Sequence, residues 1–272
     1  MTTEPTSKIE FAALTDTGRV RRQNEDAVAI NPEYGFALLA DGMGGHLAGE
    51  VASGMAVDII GQALQDTLRE HAEYANHAEY AGSADLPAQL HDWMRDAIQL
   101  ANTRILQAAH SQEGCRGMGT TLVLALYLDH TLNVAHAGDS RLYRLRGTTL
   151  QQLTRDHSVL QQEIAAGLIT PEQAVLSKKR NLITRALGAA PLLDVELHQH
   201  DFQAGDIALL CSDGLTDMVP DQQIADLLHA NRSDLPQACA QLVACANACG
   251  GRDNVSVILM KARDNEPRLE NS

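Results

Sequence analysis

Four places in this chain share one pattern: an apolar, strand-like run borders an aspartate that stands beside glycine or another turn residue. They are Leu38-Leu39-Ala40-Asp41-Gly42, Ala135-His136-Ala137-Gly138-Asp139-Ser140, Leu209-Leu210-Cys211-Ser212-Asp213-Gly214 and Gly251-Arg252-Asp253-Asn254. A fifth acidic spot, Asn24-Glu25-Asp26, precedes a short strand over 27–30. Taken singly, Asp-Gly is a hairpin turn signal, and the turn reading wins. Taken together, carboxylates at the ends of neighbouring strands converge on one edge of a sheet. Donors that are all oxygen suit hard cations such as magnesium and manganese. A glycine beside the carboxylate also lets a backbone carbonyl approach an ion, because no side chain blocks it. Two such ions about 3.5–4 Å apart form a phosphoryl-transfer site.

The rest of the pattern sets the fold class. Apolar runs at 36–40, 120–128 and 207–211 predict buried strands. Alternation at 132–137, 195–200 and 255–260 predicts half-buried ones. Two long helices are expected. One covers 50–74, with Val51, Met55, Ile59, Ala63 and Leu64 as its apolar stripe; the other covers 87–110, with Trp93, Ala97, Leu100, Ala101 and Ile105. A shorter helix follows Pro220, and another spans 235–248 and stops at Gly250-Gly251. Strands and helices do not alternate regularly, so a doubly wound parallel sheet is disfavoured. Antiparallel sheets with helices laid on their faces fit better.

Composition narrows the function. With 35 acidic and 21 basic residues the chain carries a net charge of −14, which argues against nucleic acid and anionic membrane as partners. Aromatic residues are 3%, too few to build stacking platforms for single strands. No run of about 18 apolar residues occurs, and the N-terminus has no apolar signal-peptide core. The five cysteines are odd in number and irregularly spaced; they read as small buried hydrophobes in a reducing, cytoplasmic setting. The copies His71-Ala-Glu-Tyr-Ala-Asn and His77-Ala-Glu-Tyr-Ala-Gly are too few for a solenoid and read as a helix end or loop insertion. Residues 1–8 and 263–272 read as flexible tails around one unit over 9–262.

Eight motifs then occur in a familiar order: Arg21-Arg-Gln-Asn-Glu-Asp26, Asp41-Gly-Met-Gly-Gly-His46, Gly117-Met-Gly-Thr-Thr121, Gly138-Asp-Ser-Arg141, Leu153-Thr-Arg-Asp-His157, Ile183-Thr-Arg-Ala-Leu-Gly188, Ser212-Asp-Gly-Leu215 and Arg252-Asp-Asn254. In these the chain resembles bacterial metal-dependent protein phosphatases of the PPM family, the type 2C serine/threonine phosphatases. The resemblance implies an α+β fold: a four-layer αββα sandwich, two antiparallel β-sheets flanked by helix pairs, with a flap subdomain at about 155–188. It implies two Mn²⁺ or Mg²⁺ ions and a third, weaker one. Asp41 would bridge both ions, Asp213 and Asp253 would complete the first, and the Gly42 carbonyl would face the second. Asp139, shared with Asp213, matches the third position. Glu25 and Asp26 would orient metal-bound waters, and Asn254 stands beside Asp253. Arg21 matches the phosphate-binding arginine, with Arg22 ranked second. Met43 stands where many eukaryotic members carry a histidine; His46 is the nearest imidazole in sequence and is a candidate substrate contact. The implied reaction is in-line attack of a hydroxide bridging the ions on phosphoserine or phosphothreonine in proteins. The implied setting is a cytoplasmic monomer opposing a serine/threonine kinase. Lys178, Lys179, Arg180 and Arg185 in the flap are either a solvated face or a surface that selects phosphoproteins.

Three rivals remain. Gly138-Asp-Ser-Arg141 is similar to one esterase motif, and Asp226 and His229 could complete a triad with Ser140. Against this, Ile224, Leu227 and Leu228 explain the 226–229 segment as an ordinary amphipathic helix. A degenerate, binding-only relative would have lost its carboxylates, and Asp41, Asp139, Asp213 and Asp253 are all present. A phosphatase acting on a small metabolite or a regulator shares every motif.

Overall fold

The computed structural model describes residues 9–44, 48–75, 86–170, 173–174, 177 and 182–263. The expected tails, apart from Arg263, lie outside the described residues. So do His46, Lys178, Lys179, Arg180 and the whole second hexapeptide copy.

Eleven strands form two antiparallel sheets among the described residues. One sheet contains β2 (Asp26–Asn31), β3 (Phe36–Met43), β5 (Leu122–Leu128), β6 (Thr131–Ala137) and β9 (Glu196–Asp201) in that order, with the short β4 (Gly119–Thr120) paired to β3. The other contains β1 (Ile9–Asp16), β11 (Val255–Ala262), β10 (Ile207–Cys211), β7 (Arg141–Arg146) and β8 (Thr149–Gln152) in that order. Two long helices, α1 (Ala48–Ala75) and α2 (Leu86–Ser111), cover the first sheet. The short α4 (Asp213–Thr216), α5 (Asp221–Ala230) and α6 (Leu235–Ala248) cover the second. A third apolar layer lies between the sheets. The short α3 (Val159–Ala165) sits in the flap.

This four-layer arrangement explains why the central strands read as continuous apolar runs. Successive side chains of a strand point to opposite faces, and here both faces are covered. In β5, Leu122, Leu124 and Leu126 pack toward α1 and α2, while Val123, Ala125 and Tyr127 pack toward the other sheet. In β10, Ile207, Leu209 and Cys211 meet the helices, while Ala208 and Leu210 face inward. Each such leucine stabilises the fold by about 1.5–3 kcal/mol relative to an exposed one.

The helix bounds fall within two residues of those expected, but the buried stripe of α1 is rotated. Its fully covered residues are Ala52, Ala56, Ile60 and Leu64, whereas Val51, Met55, Ile59 and Ala63 are only partly covered. Small alanines let the helix axis approach the sheet closely, so the bulkier stripe lies at the flank. Leu100, expected in the buried face of α2, is 44% exposed. The 120–128 run is broken at Thr121, where both backbone and side chain bond to Asp41. Three strands had no counterpart in the sequence reading: the edge strand β1, and β7 and β8, a hairpin turned at Gly147 (φ +61°) whose first strand is an arginine-rich alternation. Among the described residues no helix is long and apolar enough to cross a membrane.

Candidate metal centre

Antiparallel pairing brings the aspartates together. Asp26 at the start of β2 is the register partner of Asp41 on β3. The end of β10, just before Asp213, pairs with the start of β11, just after Asp253. The result is a cavity of about 200 Å³ lined by Glu25, Asp41, Asp139, Asp213 and Asp253, with Gly42, Met43, Thr121, Ile183 and Arg21 around them. Asp139 and Asp213 also line a second cavity of about 310 Å³, whose far wall is flap residues including Leu160, Gln161 and Ile164. Asp217, which the sequence reading passed over, lines that second space.

The strand ends and loops that carry the carboxylates are held from behind. The Thr121 hydroxyl accepts the Asp41 amide at 3.0 Å, and the Thr121 amide donates to the Asp41 carbonyl at 2.9 Å. Thr120 Oγ1 donates to the same carbonyl at 2.9 Å. The Ser212 hydroxyl donates to Asp26 Oδ2 at 2.9 Å and accepts the Ser256 amide at 3.0 Å. Asn254 pins the loops: its Nδ2 donates to the carbonyls of Gln23 and Thr17 at 2.8 and 3.0 Å, and its Oδ1 accepts the Glu25 amide at 2.8 Å. The 252–254 motif therefore includes a loop clamp as well as a carboxylate. At Gly42 a side chain would collide with the backbone of Gly49 and with the Glu25 carbonyl oxygen, 2.6 Å from the position of a Cβ. Only glycine lets β3 pass α1 there. The roles of Thr120, Thr121, Ser212 and Gly49 were not legible. The two threonines stood inside a quoted motif, and that motif was the available signal.

The electrostatics are those of a cation site. Arg21 Nη2 donates to Asp253 Oδ2 at 2.7 Å, and Arg21 is the one cationic side chain among the residues lining the first cavity. Burial, then the neighbouring charges of Asp26, Asp213, Asp139 and Asp253, push the Asp41 carboxyl well above the ordinary range. Burial, then Asp139 and Asp253, do the same to Asp213. Asp26 is pushed up to about 6, chiefly by burial. Asp139 is also raised to about 6 by burial and then by Asp156. Glu25 is raised by its burial. Carboxylates crowded this closely, with one guanidinium, repel one another unless protons or divalent cations neutralise them. An all-oxygen donor set with glycine-flanked carbonyls fits magnesium or manganese.

The esterase-type alternative finds no triad. Ser140 is buried and shares a 2.7 Å hydrogen bond with Thr121. His229 contacts the Gly147 carbonyl instead, at the opposite end of β7 from Ser140, about 20 Å along the strand.

Comparison with known proteins agrees with this geometry. The family model described as Protein phosphatase 2C matches residues 15–255. The serine/threonine phosphatase stp of Listeria welshimeri is 38% identical over 251 residues, covering 91% of this chain and 93% of that protein. The crystal structure of the Mycobacterium tuberculosis serine/threonine phosphatase PstP/Ppp superposes with a TM-score of 0.81 at 34% identity, over 94% of this chain and 99% of that one. The catalytic domain of PstP in complex with two manganese ions superposes with a TM-score of 0.77, also at 34% identity and over the same shares. Two helix-flanked antiparallel sheets, an acidic cavity at their shared end and a match across nearly the whole chain place this protein in the protein phosphatase 2C family.

Proposed function

We propose that the chain is a metal-dependent protein phosphatase that removes phosphate from phosphoserine and phosphothreonine, and that 9–262 is its catalytic unit. The observation that carries this is the convergence of Asp41, Asp139, Asp213 and Asp253 in one cavity with Arg21 at its mouth. Asp41 would be shared by two Mn²⁺ or Mg²⁺ ions, with Asp213 and Asp253 on the first and the Gly42 carbonyl on the second. Asp139 and Asp213 would hold a third, weaker ion between the two cavities. Bound there, the ions supply a water activated for in-line attack at neutral pH and offset charge on the phosphate.

The chain's own groups do the rest. Arg21 spends one Nη2 contact on Asp253 and is half-exposed; a guanidinium has five donors, so it can grip two phosphate oxygens at once. Glu25, which lines the cavity, and Asp26, buried beside it, would orient water held there, and Ser212 keeps Asp26 oriented. Asn254 fixes the loops that carry Glu25 and Asp253. The flap wall opposite Asp213 offers Leu160 and Ile164 to the residues around a phosphorylated side chain. The substrates are phosphoproteins made by a serine/threonine kinase. The cytoplasm suits the cysteines, which are all free, with Cys115, Cys211 and Cys239 buried.

The test is phosphate release from a phosphothreonine peptide, with added manganese and with EDTA. Release that requires manganese and stops with EDTA supports the reading. Release indifferent to the chelator, or none from folded protein in either condition, overturns it.

A further inference from the structure

A second polar cluster lies on the inward face of the first sheet and takes no part in the acidic cavity. Leu132, Val134 and His136 of β6 share that face, and register sets His200, His198 and Glu196 of the edge strand β9 directly opposite them. A ring nitrogen of His136, a carboxylate oxygen of Glu196 and a ring nitrogen of His198 all lie within 4.8 Å of one another. His136 is fully buried. Its Nε2 lies 3.0 Å from the Arg155 carbonyl, which can only accept, so the proton is on Nε2 and Nδ1 presents a bare electron pair. That Nδ1 has no hydrogen-bond partner, and neither does the buried Nε2 of His200; the buried Nε2 of His198 has only an ion-pair approach to Glu196. Buried polar atoms are nearly always satisfied, so imidazole nitrogens this poorly partnered in one strip call for an ion or waters.

Several details favour an ion. His198 Nε2 already lies 2.9 Å from Glu196 Oε1. The other oxygen, Oε2, lies 2.9 Å from His157 Nε2, which Arg185 Nη1 also approaches at 3.0 Å, while His157 Nδ1 accepts the Gly138 amide at 3.2 Å. Glu196 is thus oriented by a neighbour, as metal-ligating carboxylates usually are. His198 and Glu196 are each about one-third exposed, so the strip opens to solvent at the sheet edge. Burial keeps His136 neutral, down to about 4, as a ligand must be. Tetrahedral ligands at 2.0–2.1 Å sit about 3.3 Å apart, a contraction that the part-exposed His198 ring can supply by rotating. The nearest opposing charge is Arg185, 3.9 Å from Glu196 Oε2 and itself tied to Asp194.

We infer that His136, Glu196 and His198 form a binding site for an imidazole-preferring transition metal of the zinc class, separate from the acidic cavity. Two imidazoles, one carboxylate and an open position suit Zn²⁺ rather than Mg²⁺ or Mn²⁺. Loading would fix Glu196 and, through His157, the Gly138 amide one residue before Asp139.

Cobalt(II) is the probe, since its visible absorption is strong in a low-coordinate nitrogen site and weak in an octahedral oxygen site. Metal-free wild type, His198→Ala, Glu196→Gln and Asp213→Asn are titrated with Co²⁺, then with Zn²⁺ as competitor, and each is checked for folding by circular dichroism. The expected result is one equivalent of strong absorption in wild type and Asp213→Asn, displaced by Zn²⁺. His198→Ala should weaken that binding about 100-fold or more, beyond the 10–100-fold known for groups behind the ligands, and Glu196→Gln should weaken it too. No strong band in wild type would mean that waters fill the strip and would overturn the inference. A band lost in Asp213→Asn but kept in folded His198→Ala would overturn it as well.

Discussion

The acidic cavity and the histidine strip both border the C-terminal end of β6, yet they are assembled by different rules. The cavity gathers carboxylates from loops where strands end, and each sits in its own short motif. The strip gathers side chains from two paired strands, about sixty residues apart, and only register brings them together. One is a surplus of like charge. The other is a set of buried imidazole nitrogens short of hydrogen-bond partners. The difference is between a site written locally and a site written by pairing.

The sharpest way to break this contrast is to remove a carboxylate. Asp213→Asn should cut phosphate release by about 10³-fold or more, since a Lewis acid supplies several kcal/mol at the transition state, while the cobalt band at the histidine strip persists. Peptide-phosphatase kinetics with manganese check this; activity within tenfold of wild type would remove Asp213 from the centre. Arg21→Ala should raise KM for a phosphothreonine peptide by about 10–100-fold, as a charge-assisted hydrogen bond is worth about 1.5–3 kcal/mol. Its manganese affinity, read by calorimetry, should change less than its KM.

A third test uses repulsion itself. The Asp213 carboxyl is raised by burial and by Asp139 and Asp253. A raised carboxylate contributes stability below its unfolded value, and that contribution is lost as pH rises through the folded value. Metal-free Asp213→Asn should therefore melt higher than metal-free wild type at pH 8, and the gap should close as pH falls toward the ordinary carboxylate range. Relief of about 1–3 kcal/mol at about 2–4 °C per kcal/mol gives a gap of roughly 2–12 °C. Saturating manganese should reverse its sign. A stability change of similar size but opposite sign is expected from Thr121→Val, which leaves the Asp41 amide without its side-chain acceptor and Ser140 without its partner. A loss of about 1–3 kcal/mol should appear in thermal melts.

The same contrast explains what could be read from the sequence. Helix-and-sheet layering was legible because β3, β5 and β10 are apolar on both faces and α1 and α2 are long. The carboxylate set was legible because each member borders a turn. Thr121 and Ser212 were not, because a hydroxyl that holds a carboxylate loop looks like any other hydroxyl. β7, and with it its hairpin partner β8, was missed because the β7 arginines pair across space: Arg141 with Asp156, and Arg146 with Asp206. Such partners turn a charged alternation into a strand, and nothing in the local sequence announces them. The α1 stripe was misplaced by one residue because bulk was taken as the sign of burial, whereas close helix–sheet approach selected alanine.

The proposed function turns on Asp41 being shared by two manganese ions. Crystals of the wild-type chain grown with MnCl₂ and measured at the manganese absorption edge test it most directly. Two anomalous peaks are expected about 3.5–4 Å apart astride Asp41, one reached by Asp213 and Asp253 and the other facing the Gly42 carbonyl. A map with no peak at Asp41, or with manganese only elsewhere, would contradict it.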